Sequence, residues 1–196
     1  MLYPSFSYTI VVNRMENKIT ITYPRTEYLP LNRNIGRYIG SLLEEFVEYG
    51  ETPIQPNFSY ALNSTYEKEE YHEYLSFVIF SSFDIGGAHP DHRIYTVTYN
   101  TKRNCLVDID DLIRKNPDLL NILSLESRKL LKKQEYFQKD YDQEMFLMGT
   151  EKTPENFHYF VFSENGLVIY FPRYQIAPYY AGEFQVVIPY SKLGIV

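Results

Sequence analysis

Tryptophan is absent from the 196 residues, and cysteine occurs once, at Cys105. A single cysteine excludes an intramolecular disulfide and any cysteine-rich zinc site, so the fold has to rest on packing alone. In a segment with strand character, this thiol reads as a small buried hydrophobe rather than a nucleophile. No apolar run approaches the length of a membrane span. Residues 1–14, MLYPSFSYTIVVNR, alternate like a strand and lack the charged start and small-residue cleavage site of a signal peptide. Fixed-period repeats, low-complexity tracts, a Gly-x-Ser-x-Gly elbow and a glycine-rich phosphate loop after a strand are all missing. Positive charge is also in deficit. The formal net charge of −6 argues against nucleic-acid binding, which depends on clustered Lys and Arg, and suits a cationic partner. The one local basic cluster, Arg128, Lys129, Lys132 and Lys133, falls in a predicted helix and reads as its solvated face.

Tyrosine, by contrast, is abundant, with 20 residues, and it suits half-buried pleated surfaces. Sugar-binding platforms usually enlist Trp as well, so the abundance indicates β-sheet first and carbohydrate binding second. Phe6, Tyr8, Ile10 and Val12 alternate, as do Ile19, Ile21 and Tyr23, predicting an opening hairpin across residues 15–18. Pro24 and Pro30 bracket an extended link. Leu31, Ile35, Ile39, Leu42, Phe46 and their neighbours then recur at helical spacing up to Gly50, with one face directed at the sheet. Residues 52–57, with Pro53 and Pro56, read as a loop, and the alternation of Phe58, Tyr60 and Leu62 as a strand.

Glu67 to Glu70 read as an exposed turn leading into a long strand over 71–83, and the glycine- and proline-rich GGAHP turn at 86–90 leads out into a strand over 94–99. After a polar turn at 101–104, Asp108, Asp110 and Asp111 read as the acidic start of a short helix, and Asn116 and Pro117 as the start of a second main helix carrying Leu119, Leu123 and Leu131. Residues 134–155 suggest a third short helix or an irregular excursion. A hairpin follows around Asn165 and Gly166 in a type I′ turn, then the aromatic loop 174–182 and a last strand over 184–188. The fold class is α+β, an antiparallel or mixed β-sheet with two main helices packed on it. An N-terminal half (1–100) and a C-terminal half (101–196) are expected to share one compact unit.

The GGAHP turn is the most chemically loaded point. His89, Asp91 and His92 offer two imidazoles and a carboxylate, but a third protein ligand is not identifiable, so they read as a rigid turn bonding nearby backbone, with no metal or other cofactor. Asp108, Asp110 and Asp111, with Glu164 or Glu183, are the carboxylates available for acid–base work, and helix capping accounts for the aspartates. No catalytic set assembles, which favours a binding role. Its candidate surface is His89, Asp91, His92, Tyr174, Tyr179 and Tyr180, with the alternative that these tyrosines pin the last strand to the core.

GGAHP, then VDIDDLI at 107–113, then NFHYFVFSENGLVIYFPRYQIAPYYAGEFQVVIPYSKL at 156–193 resemble the domain in the extracytoplasmic part of the RsiV anti-sigma factor, also found ahead of the catalytic domain in PdaC-type peptidoglycan deacetylases. The earlier stretch, with ITITYP at 19–24, is similar to the companion domain that usually precedes it. The resemblance implies a non-catalytic envelope module, extracytoplasmic, with lysozyme or another cationic protein as partner, or else peptidoglycan. The cytoplasmic sigma-binding segment, membrane helix and deacetylase domain do not appear in this sequence, so sigma regulation and deacetylation do not transfer. The motif residues Gly86, Gly87, His89, Pro90, Pro178, Tyr179 and Gly182 are expected to be architectural.

Overall fold

The computed structural model describes residues 5–14, 17–51 and 58–195. Strands β1 (Ser5–Arg14), β2 (Asn17–Thr26), β3 (Ala61–Tyr71), β4 (Tyr74–Asp84), β5 (Asp91–Asn100) and β6 (Cys105–Val107) form a six-stranded sheet in chain order. All neighbours are antiparallel except β2 and β3, which run parallel because helix α1 (Leu29–Glu51) crosses over between them. The sheet is therefore mixed. A second sheet holds β7 (Phe160–Ser163), β8 (Gly166–Phe171) and β9 (Phe184–Ile188), all antiparallel. Helices α2 (Ile109–Lys115), α3 (Leu119–Leu131), α4 (Gln143–Gly149) and α5 (Tyr190–Leu193) complete the α+β fold.

Strand periodicity explains how the layers stack. Successive side chains of a strand point to opposite faces. On β4, Leu75, Phe77, Ile79 and Phe83 pack with Leu31, Ile35, Leu42 and Phe46 of α1, whereas Val78 and Phe80 pack with Val161, Val168 and Tyr170 of the small sheet. The small sheet repeats the device. Phe160, Phe162, Leu167, Ile169 and Phe171 turn away from the large sheet into a core with Leu119, Leu123 and Leu131 of α3. The order of layers is α1, large sheet, small sheet, α3, with each of the two main helices covering its own sheet.

β7 is an edge strand of the small sheet, and its outward N–H groups would be stranded under the large sheet without a partner. Hydroxyls of the large sheet supply one. Phe162 N donates to Ser76 Oγ at 3.1 Å and Phe160 N to Thr96 Oγ1 at 3.2 Å, while Ser76 Oγ and Thr98 Oγ1 bond at 3.0 Å.

Several local expectations change. Glu67 to Glu70 do not form a turn: they lie inside β3, because register with β4 holds from Ala61–Asp84 to Tyr71–Tyr74, and the reversal falls at His72, in the left-handed region at φ 51°. Asp91 and His92 belong to β5 rather than to the preceding loop. Pro24 lies within β2 and Pro30 in the first turn of α1. Residues 58–60 precede β3 without strand pairing. Asn116 ends α2 and accepts from Asp118 N at 3.0 Å, so α3 begins after Asp118. The β7–β8 turn is centred on Glu164 and Asn165, neither with positive φ, so it is not type I′; Gly166 opens β8 at φ 146°, where a Cβ would stand 2.3 Å from the Ile188 carbonyl oxygen. Arg128 leaves the solvated face and donates to Thr150 Oγ1 and the Leu147 carbonyl. The expected loop at 52–57 and residues 15–16 of the first hairpin tip lie outside the described residues. Among the described residues no helix is long and apolar enough to cross a membrane.

Replacing Ser76 by Ala leaves the buried Phe162 N–H without an acceptor and is expected to cost about 1–3 kcal/mol. Urea unfolding followed by tyrosine fluorescence measures it, and Ser76→Thr, which keeps the hydroxyl, separates this loss from a change in packing.

Candidate functional site

The GGAHP turn and the aromatic loop meet around one side chain. Gly86 adopts φ 80°, which a β-carbon disfavours, while Gly87 has no positive φ. This geometry presents the Pro90 carbonyl to Tyr179, whose hydroxyl donates to it at 2.7 Å. The His89 ring stacks on Tyr179 with centroids 3.5 Å apart, and the Arg173 guanidinium carbon sits 4.3 Å from the same ring centroid. The rings of His92 and Tyr174 approach Tyr179 at 6.2 and 5.8 Å. Tyr179 is thus the hub that joins residues about 90 positions apart in sequence.

The aromatic loop is held from behind. Gln175 Nε2 donates to the carbonyls of Gly149 and Asn156 at 2.9 and 3.0 Å, fixing the loop on α4 and the segment after it. Next to that anchor, Tyr174 takes φ 67°, a conformation rare for a bulky residue, and its ring is 57% exposed. Its hydroxyl lies 3.5 Å from His89 Nε2. A side chain held out to solvent from a strained backbone has the form of a presented group.

Period-two geometry divides the expected His89, Asp91 and His92 group. Asp91 shares the α1 face of β5 with Arg93, which donates from Nε to Asp91 Oδ2 at 2.8 Å and forks onto Glu45 of α1, with one of the two contacts at 2.7 Å. That fork lowers the Glu45 pKa and raises that of Arg93, in both cases through the hydrogen bonds first. His92 points to the opposite face, where it lines a shallow depression of about 170 Å³ with Thr65, Phe80, Ser82 and Glu183. Burial first, and then Arg173, hold its imidazole below the usual histidine range. Arg173 Nε stands 3.7 Å from Glu183 Oε1, too far for a hydrogen bond, and is buried without another acceptor. Tyr180 is separate: 81% exposed, it meets Tyr136 edge-on at 6.3 Å, and Tyr136 is pushed up to about 12 by burial and by Tyr180.

The other carboxylates are occupied differently. Asp108 and Asp111 form a reciprocal capping box at the start of α2. Among the described residues no three His, Cys, Asp or Glu side chains group to hold a metal. Arg173 and Glu183 carry the electrostatics of the site, and no pattern in the sequence singles out Arg173. Its only signal was a cation one residue before the exposed Tyr174. What the assembly offers chemically is stacking and cation–π contact on a rigid, largely polar rim.

Two outcomes follow. Tyr179→Phe removes one hydrogen bond and should lower stability by about 0.5–1.5 kcal/mol, with Tyr179→Ala costing more through the lost ring contacts. Because the folded state disfavours His92 protonation, unfolding takes up a proton as pH falls below about 6.5, so stability drops with acidification until the folded pKa is passed. Thermal melts of wild type and His92→Gln between pH 7.5 and 5 should show a shallower decline in the variant.

The Bacillus subtilis (strain 168) peptidoglycan-N-acetylmuramic acid deacetylase PdaC is 33% identical over 135 residues, 67% of this chain, and the matched stretch spans only 28% of that protein. A crystal structure of a DUF3298 family protein from Pseudomonas aeruginosa PAO1 superposes with a TM-score of 0.66 at 17% identity, covering 100% of this chain and 95% of that one. A member of the same family from Bacteroides fragilis NCTC 9343 gives 0.55 at 16%, covering 97% and 90%. At such identities the two structures establish the fold. Residues 110–191, which contain α3, the small sheet and the aromatic loop around Tyr179, match the family described as a protein of unknown function, DUF3298.

Proposed function

We propose that this chain is a non-catalytic binding module of the bacterial cell envelope, RsiV-like in its role, that recognises a cationic wall-directed protein such as lysozyme and works outside the cytoplasm. The observation that carries this reading is the preformed Tyr179 cluster, in which His89, Arg173 and the exposed Tyr174 are fixed on a scaffold before any partner arrives. Rigid aromatic groups give contact area at low entropic cost, which is why they recur at the centres of protein interfaces. Two further facts support it. The net charge of −6 steers a basic protein toward the chain, and the relative that shares a third of the aligned residues is named for an enzyme of peptidoglycan.

A second reading, in which the module binds peptidoglycan strands or acts on them, is favoured by the exposed rings of Tyr174 and Tyr180, which could stack on sugar faces. Asp91, half exposed and paired through one oxygen with Arg93, borders the surface in either reading.

Titration of the 196-residue chain with hen lysozyme, and separately with soluble muropeptides, discriminates the two. The first reading expects submicromolar binding of lysozyme, weakened several-fold between 50 and 300 mM salt, roughly as screening of exposed charge dictates, and weakened about tenfold or more by Tyr174→Ala. Saturable muropeptide binding with no response to lysozyme would transfer the conclusion to the second.

A further inference from the structure

A second depression, about 460 Å³, opens between the far end of β3 and the β7–β8 turn, within the usual size range of a ligand site, about 300–1,000 Å³. Because Glu67 and Glu69 are two apart on β3, both project toward the face that carries the small sheet, and the β7–β8 turn adds Glu164. None of these three carboxylates has a hydrogen bond or an ion pair among the described residues. The neighbouring Lys68 does not neutralise them, being paired with Glu70 at 2.5 Å. Burial and then the charges of Glu67 and Glu164 raise the Glu69 pKa, so the three groups share one field.

An independent feature lies in the same wall. Tyr170 is only 6% exposed, lines the depression, and its hydroxyl has no hydrogen-bond partner among the described residues. Burial and the charges of Glu67 and Glu69 raise its pKa, so the phenol sits beside those carboxylates. The side chain of Tyr170 is nearly buried and its hydroxyl borders the same depression as the unpaired Glu67 and Glu69, an acidic wall that lacks a cationic donor.

From the Tyr170 hydroxyl and the three unpaired glutamates that line the same depression, we infer that this cleft is a socket for a lysine side chain presented by a protein or peptide. The reading goes beyond the Tyr179 surface and stands without it. A metal ion is disfavoured because, among the described residues, no three such side chains group to hold one. A guanidinium is planar and pairs best with a single carboxylate through two parallel bonds, whereas an ammonium directs three donors to separate acceptors. Separate carboxylates lining one cleft with a phenol match the second pattern.

The test uses the 196-residue chain and a decalysine peptide in calorimetry at 50 mM salt, with the same peptide acetylated on every Nζ as control. Saturable binding of decalysine alone is expected, weakened at least tenfold in Glu67→Gln/Glu69→Gln and several-fold in Tyr170→Phe. Glu27→Gln/Glu44→Gln removes the same charge from β2–α1 and should change the affinity less than twofold. The free Glu67→Gln/Glu69→Gln protein should melt no lower than wild type, since it loses mutual repulsion. Equal weakening by both double variants would reduce the effect to net charge and overturn the proposal. So would equal binding of the acetylated peptide, no loss in Tyr170→Phe, or a response of the same residues to calcium or to chitosan oligomers but not to decalysine.

Discussion

The strand β4 has to be buried on both faces at once, and most of the architecture answers that requirement. Its run from Tyr74 to Ile79 is buried throughout, with alternate residues entering two different cores. A strand of this kind cannot remain at an edge or on an open face: each large side chain left in water would forgo about 1.5–3 kcal/mol. One face is closed by α1, whose length of 23 residues lets it span the sheet. The other is closed by the small sheet, and closure there forces the edge of β7 under the large sheet. The hydroxyls of Ser76, Thr96 and Thr98 resolve the resulting hydrogen-bond deficit. They are also why β4 and β5 carry Ser and Thr at positions where an apolar core would otherwise take Val.

The same docking builds the Tyr179 cluster. The β4–β5 connection contributes His89 and Pro90, while the chain between β8 and β9 contributes Arg173, Tyr174 and Tyr179, and the packing of the two sheets brings these loops together. The Tyr179–Pro90 hydrogen bond therefore joins the two sheets as well as fixing a surface. Stability and recognition are coupled at this residue. Tyr174 is the part that stability does not explain, because its left-handed backbone costs on the order of 1–3 kcal/mol and its ring covers little.

Much of this was legible in the residues. Period-two runs gave the strands of both hairpins, helical spacing gave α1, and the GGAHP and YQIAPYYAG segments were marked as loops with chemistry. What periodicity does not carry is which face each strand turns to which partner. One alternation in β5 sends Asp91 to α1 and His92 to the small sheet, separating the carboxylate from the two histidines, which both meet Tyr179. The charges of β3 misled for a related reason. Glu67, Lys68, Glu69 and Glu70 have low strand propensity and read as a turn, but pairing with β4 over the whole length of β3 overrides that preference. Similarly, Asn165–Gly166 has the composition of a type I′ turn, yet the register shifts the turn one residue earlier and uses Gly166 for close approach to β9.

That misreading of β3 bears on function. A solvated turn can hold four charged residues at no cost, whereas a strand inside a six-stranded sheet holds Glu67 and Glu69 side by side on one face, where like charges repel. Thr or Val at those positions would favour the strand and remove the repulsion. Tyr170 belongs to the same set, since Phe would fill the same space, whereas Tyr adds a hydroxyl with no hydrogen-bond partner among the described residues. Three residue choices that folding alone does not favour fall within one cleft. Local and global preferences conflict in this way chiefly where a site is kept for something outside the fold. The conflict is electrostatic and all of one sign, so positive charge brought to the cleft relieves it.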